Sequence, residues 1–288
     1  MFFKRLFSTV ILLAVFSCII FGENIFGTPL VSRIAFLIFG GFLSFFVPYE
    51  TCSMLEQGGK PVFAKLTSSL CFLAFLAAYS IYYFADTIRI PLMAFVIFLL
   101  LLCGLPWVML LFIIGKEKAL ERILNSIGAG FLFIPAFLML EGIYFQHGPK
   151  VFLFFVLGTK IGDIGAYVVG TLTHKLLPGG NHKMIPSISP GKSWEGACGG
   201  MLASVGFAVS LFYWAFPDSN SGIWLPIVLG IILFIFGAAG DLAESCIKRV
   251  CGVKDSGHTL PGIGGVFDLV DSLLLNSVIF TLFLILIK

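Results

Sequence analysis

Residues 223–249 read IWLPIVLGIILFIFGAAGDLAESCIKR, and this stretch decides the fold class. From Ile223 to Gly240 there are 18 residues without a charge. At about 1.5 Å rise per residue, a helix of that length nearly crosses the ~30 Å hydrocarbon layer of a bilayer. The apolar run is continuous and does not alternate, so it fits a helix and not a barrel strand. At its end two carboxylates, Asp241 and Glu244, and two cations, Lys248 and Arg249, arrive together.

Similar runs recur along the chain. They predict spans at about 6–22, 33–49, 66–84, 90–114, 124–145, 151–173, 195–216, 223–245 and 267–287. Pro106 inside the long fourth run marks a kink, a tilt or a split into two. The composition agrees: 59% of the 288 residues are hydrophobic, 11% are charged, and mean hydropathy is +1.05. A soluble domain carries roughly twice that charged fraction. It also lacks the core volume to hide so much apolar surface. The expected fold is an all-α integral membrane protein, a polytopic bundle of about nine transmembrane helices with polar cytoplasmic loops. A net charge of +3 is too small and scattered for a nucleic-acid surface. The seven cysteines form no CxxC pair and mostly lie in apolar runs, so they read as small buried hydrophobes and not as a disulfide framework or zinc site.

Basic residues set the orientation. With the N-terminus inside, 13 of the 18 Lys and Arg residues face the cytoplasm, four face outward, and Lys160 lies within a span. Lys4 and Arg5 precede a long first apolar stretch with no small-x-small cleavage site after it, so an uncleaved anchor is expected. The short chain without a cytosolic extension points to a bacterial inner membrane. Residues 1–122 read as transmembrane scaffold and 123–288 as the catalytic region. Two cytoplasmic loops, about 174–195 and 248–268, hold most of the polar chemistry together with their flanking helix ends.

Four constellations stand out. Lys160, Asp163 and Tyr167 share a helix face at spacing i, i+3, i+7. Charge at membrane depth is costly, so they form either a structural Lys–Asp pair closing the bundle or a polar pocket. Asp241, Ser245 and Lys248 share another face at the cytoplasmic end of a span and suit a metal-bound phosphate. Lys248 and Arg249 alone also read as a positive-inside anchor. The third group runs from Lys254 and Asp255 through His258, the turn Pro261-Gly-Ile-Gly-Gly265, and Asp268 and Asp271. A Gly-rich turn presents backbone N–H groups to an anion, and carboxylates at i, i+3 can meet one hard cation. His258 by itself reads as a polar loop residue. The fourth group is Ser187-Ile-Ser189-Pro-Gly-Lys192-Ser193-Trp-Glu195-Gly196. Its Gly-Lys-Ser matches the end of a P-loop, but Pro186 stands where that motif needs Gly and no strand is expected before it. Ser193 is expected to cap the following helix, and Gly196 with Gly200 to pack against a neighbour.

Read from Ser245, the segment S-x-I-K-R-x4-K-D-x-G-x2-L-P-x-I-G-G-V-x-D-L-V-D-S resembles the signature of the phosphatidate cytidylyltransferases. The upstream G-D-I-G-A-Y and S-P-G-K-S-W-E-G segments are similar to that family in the same order. The likeness covers about 160–272, while the first ~120 residues agree only in hydropathy and the basic start. Ile263 stands where the family usually has His, and Leu269 where it usually has Arg.

The resemblance implies transfer of CMP from CTP to phosphatidic acid, giving CDP-diacylglycerol and pyrophosphate. It implies Asp241, Asp268 and Lys248 as catalytic residues and Asp241, Asp268, Asp271 and Asp163 as metal ligands. Substrate contacts are expected from Lys183, Ser187, Ser189, Lys192, Ser245, Arg249, Lys254, Asp255, Gly264 and Gly265. Mg²⁺ is implied, with K⁺ beside it, and so is a homodimer. Two other readings remain. An ion-coupled transporter could use Lys160, Asp163 and Asp241 as an ion path, although no half of the chain repeats the other. A cytidylyltransferase or kinase acting on another lipid phosphate or a polyprenol would need the same loops.

Overall fold

The computed structural model describes residues 2–84, 101–107, 109–110, 117–262 and 264–287. Seven helices among them are long and apolar enough to cross a membrane, and the chain is a multi-pass membrane protein. They are α1 (Phe2–Phe26), α2 (Pro29–Gln57), α3 (Ala64–Tyr83), α4 (Glu117–Leu176), α5 (Trp194–Ala215), α6 (Trp224–Val250) and α7 (Phe267–Leu286). A short antiparallel hairpin of β1 (Lys183–Ile185) and β2 (Ser189–Ser193) precedes α5.

The apparent excess of predicted spans over helices has a local cause. α4 has 60 residues, about 90 Å at 1.5 Å per residue, three times the thickness of a hydrocarbon layer. Gly148 breaks it with φ 83° and ψ 172°, a conformation that favours glycine, and Pro149 follows with no N–H to donate. The break falls between the spans expected at 124–145 and 151–173. Of the span expected at 90–114, residues 101–107, including Pro106, and 109–110 are helical, and the remainder lies outside the described residues.

The chain divides into two compact units, Met1–Glu141 with Val250–Leu269 and Gly142–Arg249 with Val270–Lys288. In the first, Leu70, Trp107 and Ile123 form one core cluster and Cys52, Val62 and Ala129 another. The segment before α3 is tied to α4 by polar bonds. Arg122 Nε donates to the Val62 carbonyl (2.8 Å), Asn125 Nδ2 to the Pro61 carbonyl (3.0 Å), and the Phe63 N–H to Ser126 Oγ (2.8 Å). In the second, Phe154, Phe155, Phe212 and Phe280 fill the core. There the second half of α4 meets α5 through small residues. A Cβ on Gly196 would lie 2.8 Å from the Ala166 carbonyl, and one on Gly165 2.6 Å from Ala203 Cβ. The expected packing role of Gly196 and Gly200 is therefore borne out.

α2 continues two turns beyond the predicted end at 49, and this carries Glu50 into the interior, where it is 4% exposed. Its Oε2 accepts from the N–H of Phe267, the first residue of α7, at 3.0 Å, and from Ser256 Oγ at 3.4 Å. A carboxylate at a helix N-terminus meets both unpaired N–H groups and the positive end of the dipole. Around it the 254–266 loop closes tightly. Leu260 and Gly264 exchange N–H···O bonds of 3.0 and 3.1 Å across a turn in which Gly262 and Gly264 take φ of 82° and 127°. A Cβ on Gly257 would meet Glu50 Oε1. The loop's glycines thus make room for a carboxylate some 200 positions earlier in the chain.

Replacing Glu50 by Ala leaves two buried donors without that acceptor and should cost about 1–3 kcal/mol. Glu50→Gln, which keeps an acceptor oxygen, should lose clearly less. Thermal unfolding of the purified protein in detergent reads the difference, and equal losses in both variants would contradict this role.

Candidate functional site

The second unit gathers titratable groups at the C-terminal end of α6. Gly237 and Gly240 on α6 let α7 approach closely: a Cβ on Gly240 would lie 2.7 Å from the Asp271 carbonyl oxygen, and one on Gly237 3.0 Å from Asn276 Nδ2. Asn276 fixes the three helices to one another, donating to Thr159 Oγ1 (3.1 Å) and to the Leu233 carbonyl (2.8 Å). One turn along, this approach brings together Asp241, Glu244 and Asp271, one carboxylate oxygen from each lying within 4.8 Å of the others. Glu244 is 2% exposed and Asp271 9%.

Each of these carboxylates has an ammonium beside it. Lys192 Nζ lies 2.9 Å from Asp241 Oδ2 and also donates to the Ala238 carbonyl at 3.2 Å. Lys248 Nζ lies 3.0 Å from Glu244 Oε1. Lys160 Nζ lies 3.7 Å from Asp271 Oδ1 and 3.5 Å from Asp163 Oδ2, and donates to Ser272 Oγ at 2.7 Å. Ser272 Oγ in turn reaches Asp163 Oδ2 at 3.2 Å. The Lys160–Asp163 pair is therefore neither isolated nor only a bundle clasp, because it leads directly to the carboxylate cluster. This resolves why a carboxylate sits so deep at 163.

The hairpin delivers Lys192. Contrary to the strand-free loop expected before Gly191, Lys183 pairs with Ser193 and Ile185 with Ser189. Those strands have only three and five residues, and β2 contains Pro190 and Gly191, so no alternating pattern could announce them. Their ends are pinned to α5. The Trp194 N–H bonds the His182 carbonyl at 3.0 Å, and Glu195 accepts from the His182 N–H and its Nδ1. Ser193 caps α5 as expected, accepting from the Gly196 N–H at 3.1 Å. Arg249 Nε donates to the Ile188 carbonyl at 3.1 Å and ties the hairpin turn to α6. The P-loop remains excluded, since Pro186 occupies the required glycine position and Lys192 lies in a strand, bonded to Asp241.

Between the hairpin, α4, α5 and α6 lies a cavity of about 310 Å³. Asp163, Ser189, Lys192, Ser193 and Asp241 form its polar wall, and Ala166, Tyr167, Ala197 and Phe234 its apolar one. Of the other expected contacts in this unit, Lys183 and Ser187 are exposed on the hairpin and Ser245 is half-buried on α6.

Asp268, Lys254, Asp255, Gly264 and Gly265 belong to the first unit. Asp268 Oδ2 accepts from the Gly265 N–H (3.0 Å) and the Ser256 N–H (3.4 Å), which holds the Gly-rich turn against the start of α7. Lys254, Asp255 and His258 are exposed. Ile263 lies outside the described residues. Sequence reasoning gave two carboxylates no role. Glu244, named there only beside Asp241, is at i+3 from Asp241 and i−4 from Lys248, a spacing that could have added it to the cluster. Glu50 carried no signal, since it ends an apolar run far from its partners.

Residues 3–287 match the sequence model of the cytidylyltransferase family. The chain is 44% identical over 127 residues to a phosphatidate cytidylyltransferase of Staphylococcus saprophyticus, covering 44% of this chain and 46% of that protein. It is 40% identical over 146 residues to that of Staphylococcus haemolyticus, covering 51% of this chain and 50% of the relative. For that of Staphylococcus aureus, identity is 38% over 146 residues with the same coverage. The chain thus spans about half the length of these relatives.

Gly240→Ala sets a methyl group against the Asp271 carbonyl and should destabilise the protein by about 1–3 kcal/mol. Gly206→Ala, on α5 with no atom within 4 Å of the added carbon, should be neutral or slightly stabilising. Thermal unfolding of the two variants side by side checks the close approach of α6 and α7.

Proposed function

The chain belongs to the cytidylyltransferase family, and from that membership we propose that it transfers CMP from CTP to phosphatidate, yielding CDP-diacylglycerol and pyrophosphate. An oxygen of the lipid phosphate attacks the α-phosphorus of CTP. The bond from that phosphorus to the bridging oxygen of the β-phosphate breaks, and pyrophosphate leaves with the electron pair. The nucleophile is already anionic, so no strong base is needed. The barrier lies in bringing two polyanions together and in stabilising charge on the leaving group, and fixed positioning and cations lower it.

The observation that carries this reading is the convergence of Asp241, Glu244 and Asp271 with Lys160, Lys192 and Lys248. An all-oxygen set of three carboxylates within 4.8 Å suits a hard divalent cation such as Mg²⁺. Asp241, Glu244 and Asp271 would hold it, with Asp163 behind them through Lys160 and Ser272. Bound there, Mg²⁺ supplies charge neutralisation to the nucleotide phosphates. Lys192 and Ser189, on the polar wall of the cavity, meet substrate phosphate, and the apolar wall receives the lipid side of the substrate. Lys183, Lys248 and Arg249 add positive charge around them. In the first unit, Lys254, Asp255 and the backbone at Gly264 and Gly265 are assigned substrate contacts, with Asp268 holding that turn. The transporter reading is not favoured, because the family model that matches nearly the whole chain is that of cytidylyltransferases and the relatives carry that name. The excess of cytoplasmic Lys and Arg supports a cytoplasmic N-terminus, and the bacterial relatives support a bacterial cell membrane.

Purified protein in detergent should release pyrophosphate from CTP only when phosphatidate and Mg²⁺ are both present, and EDTA should abolish the release. Asp241→Ala and Asp271→Ala should each lower the rate by roughly 100-fold or more while staying folded. Release that is independent of phosphatidate, or rates within about threefold of wild type in both variants, would reject the reading.

A further inference from the structure

The three carboxylates of the cluster are matched by lysines from three different elements: Lys192 on β2, Lys248 on α6 and Lys160 on α4. With Asp163 included, four negative charges face three positive ones. All three ammoniums are sheltered, at 21%, 15% and 30% side-chain exposure for Lys192, Lys248 and Lys160. Such pairing removes most of the cost of holding like charges together beside a membrane interior. It also sets a competition. A carboxylate oxygen pointed at an ammonium has fewer lone pairs for a cation, and the nearby positive charge repels one.

We propose that Lys192 and Lys248 are exchangeable internal counter-ions, which hold Asp241 and Glu244 while no divalent cation is bound and turn to substrate phosphate once one is. Lys192 is the leading member. Its four-carbon stem has rotatable bonds enough to redirect the ammonium without moving the hairpin, and the side chain already lines the cavity beside Ser189 and Ser193. Lys160 stays in place, because Asp163 and Ser272 retain it after Asp271 is taken. Cation binding and phosphate binding then reinforce each other, since each relieves a charge that the other leaves uncompensated. This inference rests on the metal reading given under Proposed function.

The test is a titration of Mn²⁺ against the full-length protein in detergent without nucleotide, following free Mn²⁺ by electron paramagnetic resonance. Lys192→Met should bind Mn²⁺ roughly tenfold more tightly than wild type, because a competing charge is gone. Lys192→Arg should return to near wild-type affinity. At saturating Mg²⁺, Lys192→Met should raise the KM for CTP, so that metal affinity and substrate affinity move in opposite directions. Lys248→Met provides a second measurement of the same kind, and Asp241→Asn identifies the site-specific binding. Unchanged or weaker Mn²⁺ binding in both Met variants, with wild type binding normally, overturns the exchange and leaves the metal reading intact. Absence of Mn²⁺ binding in wild type and variants alike overturns both.

Discussion

Three carboxylates within 4.8 Å of one another at the end of a membrane span repel strongly, and the second unit is organised around making that arrangement tolerable. Glycine at 240 permits the helix approach that brings them together, and the hairpin exists locally to deliver Lys192. A lysine in the middle of a transmembrane helix, otherwise hard to justify, is explained by Asp163, Asp271 and Ser272 around it. Removing one lysine leaves buried charge without compensation. Adding a side chain at Gly240 would press a carbon against the Asp271 carbonyl. The polar groups and the packing residues are therefore one device.

The first unit solves a related problem with two acids. A loop rich in glycine has little reason to hold one shape, since each glycine loses more backbone freedom on ordering than any other residue. Glu50 and Asp268 supply the constraint, one from α2 and one from the first turn of α7, and both accept backbone N–H groups of the 256–267 segment. The segment that carries the long family-like signature is thus shaped by side chains that bond to its backbone.

The membrane class and most of the spans were legible in the sequence because an apolar run of the right length has few other uses. The break at Gly148 was legible as a gap between two runs. The convergence of Asp241 and Asp271 was foreshadowed by their places at helix ends, and the link of Lys160 to Asp163 by their spacing of three. What stayed hidden was set by distance or brevity. Glu50 meets partners more than 200 positions away, which no local pattern encodes. The hairpin strands are shorter than the alternation needed to reveal them. Glu244 was visible beside Asp241 but was given no role, because its burial, 2% exposed in the fold, is not written in the residue type.

The proposed reaction joins two anions, and so calls for positive charge that arrives with the substrates and does not collapse the site in their absence. Carboxylates compensated by lysines would meet both demands. The most direct measurement is anomalous diffraction from crystals of the protein grown with Mn²⁺. The account predicts a peak bonded by Asp241, Glu244 and Asp271, with the Lys192 ammonium moved off Asp241. A peak elsewhere, or none with the 2.9 Å Lys192–Asp241 pair intact, would contradict it.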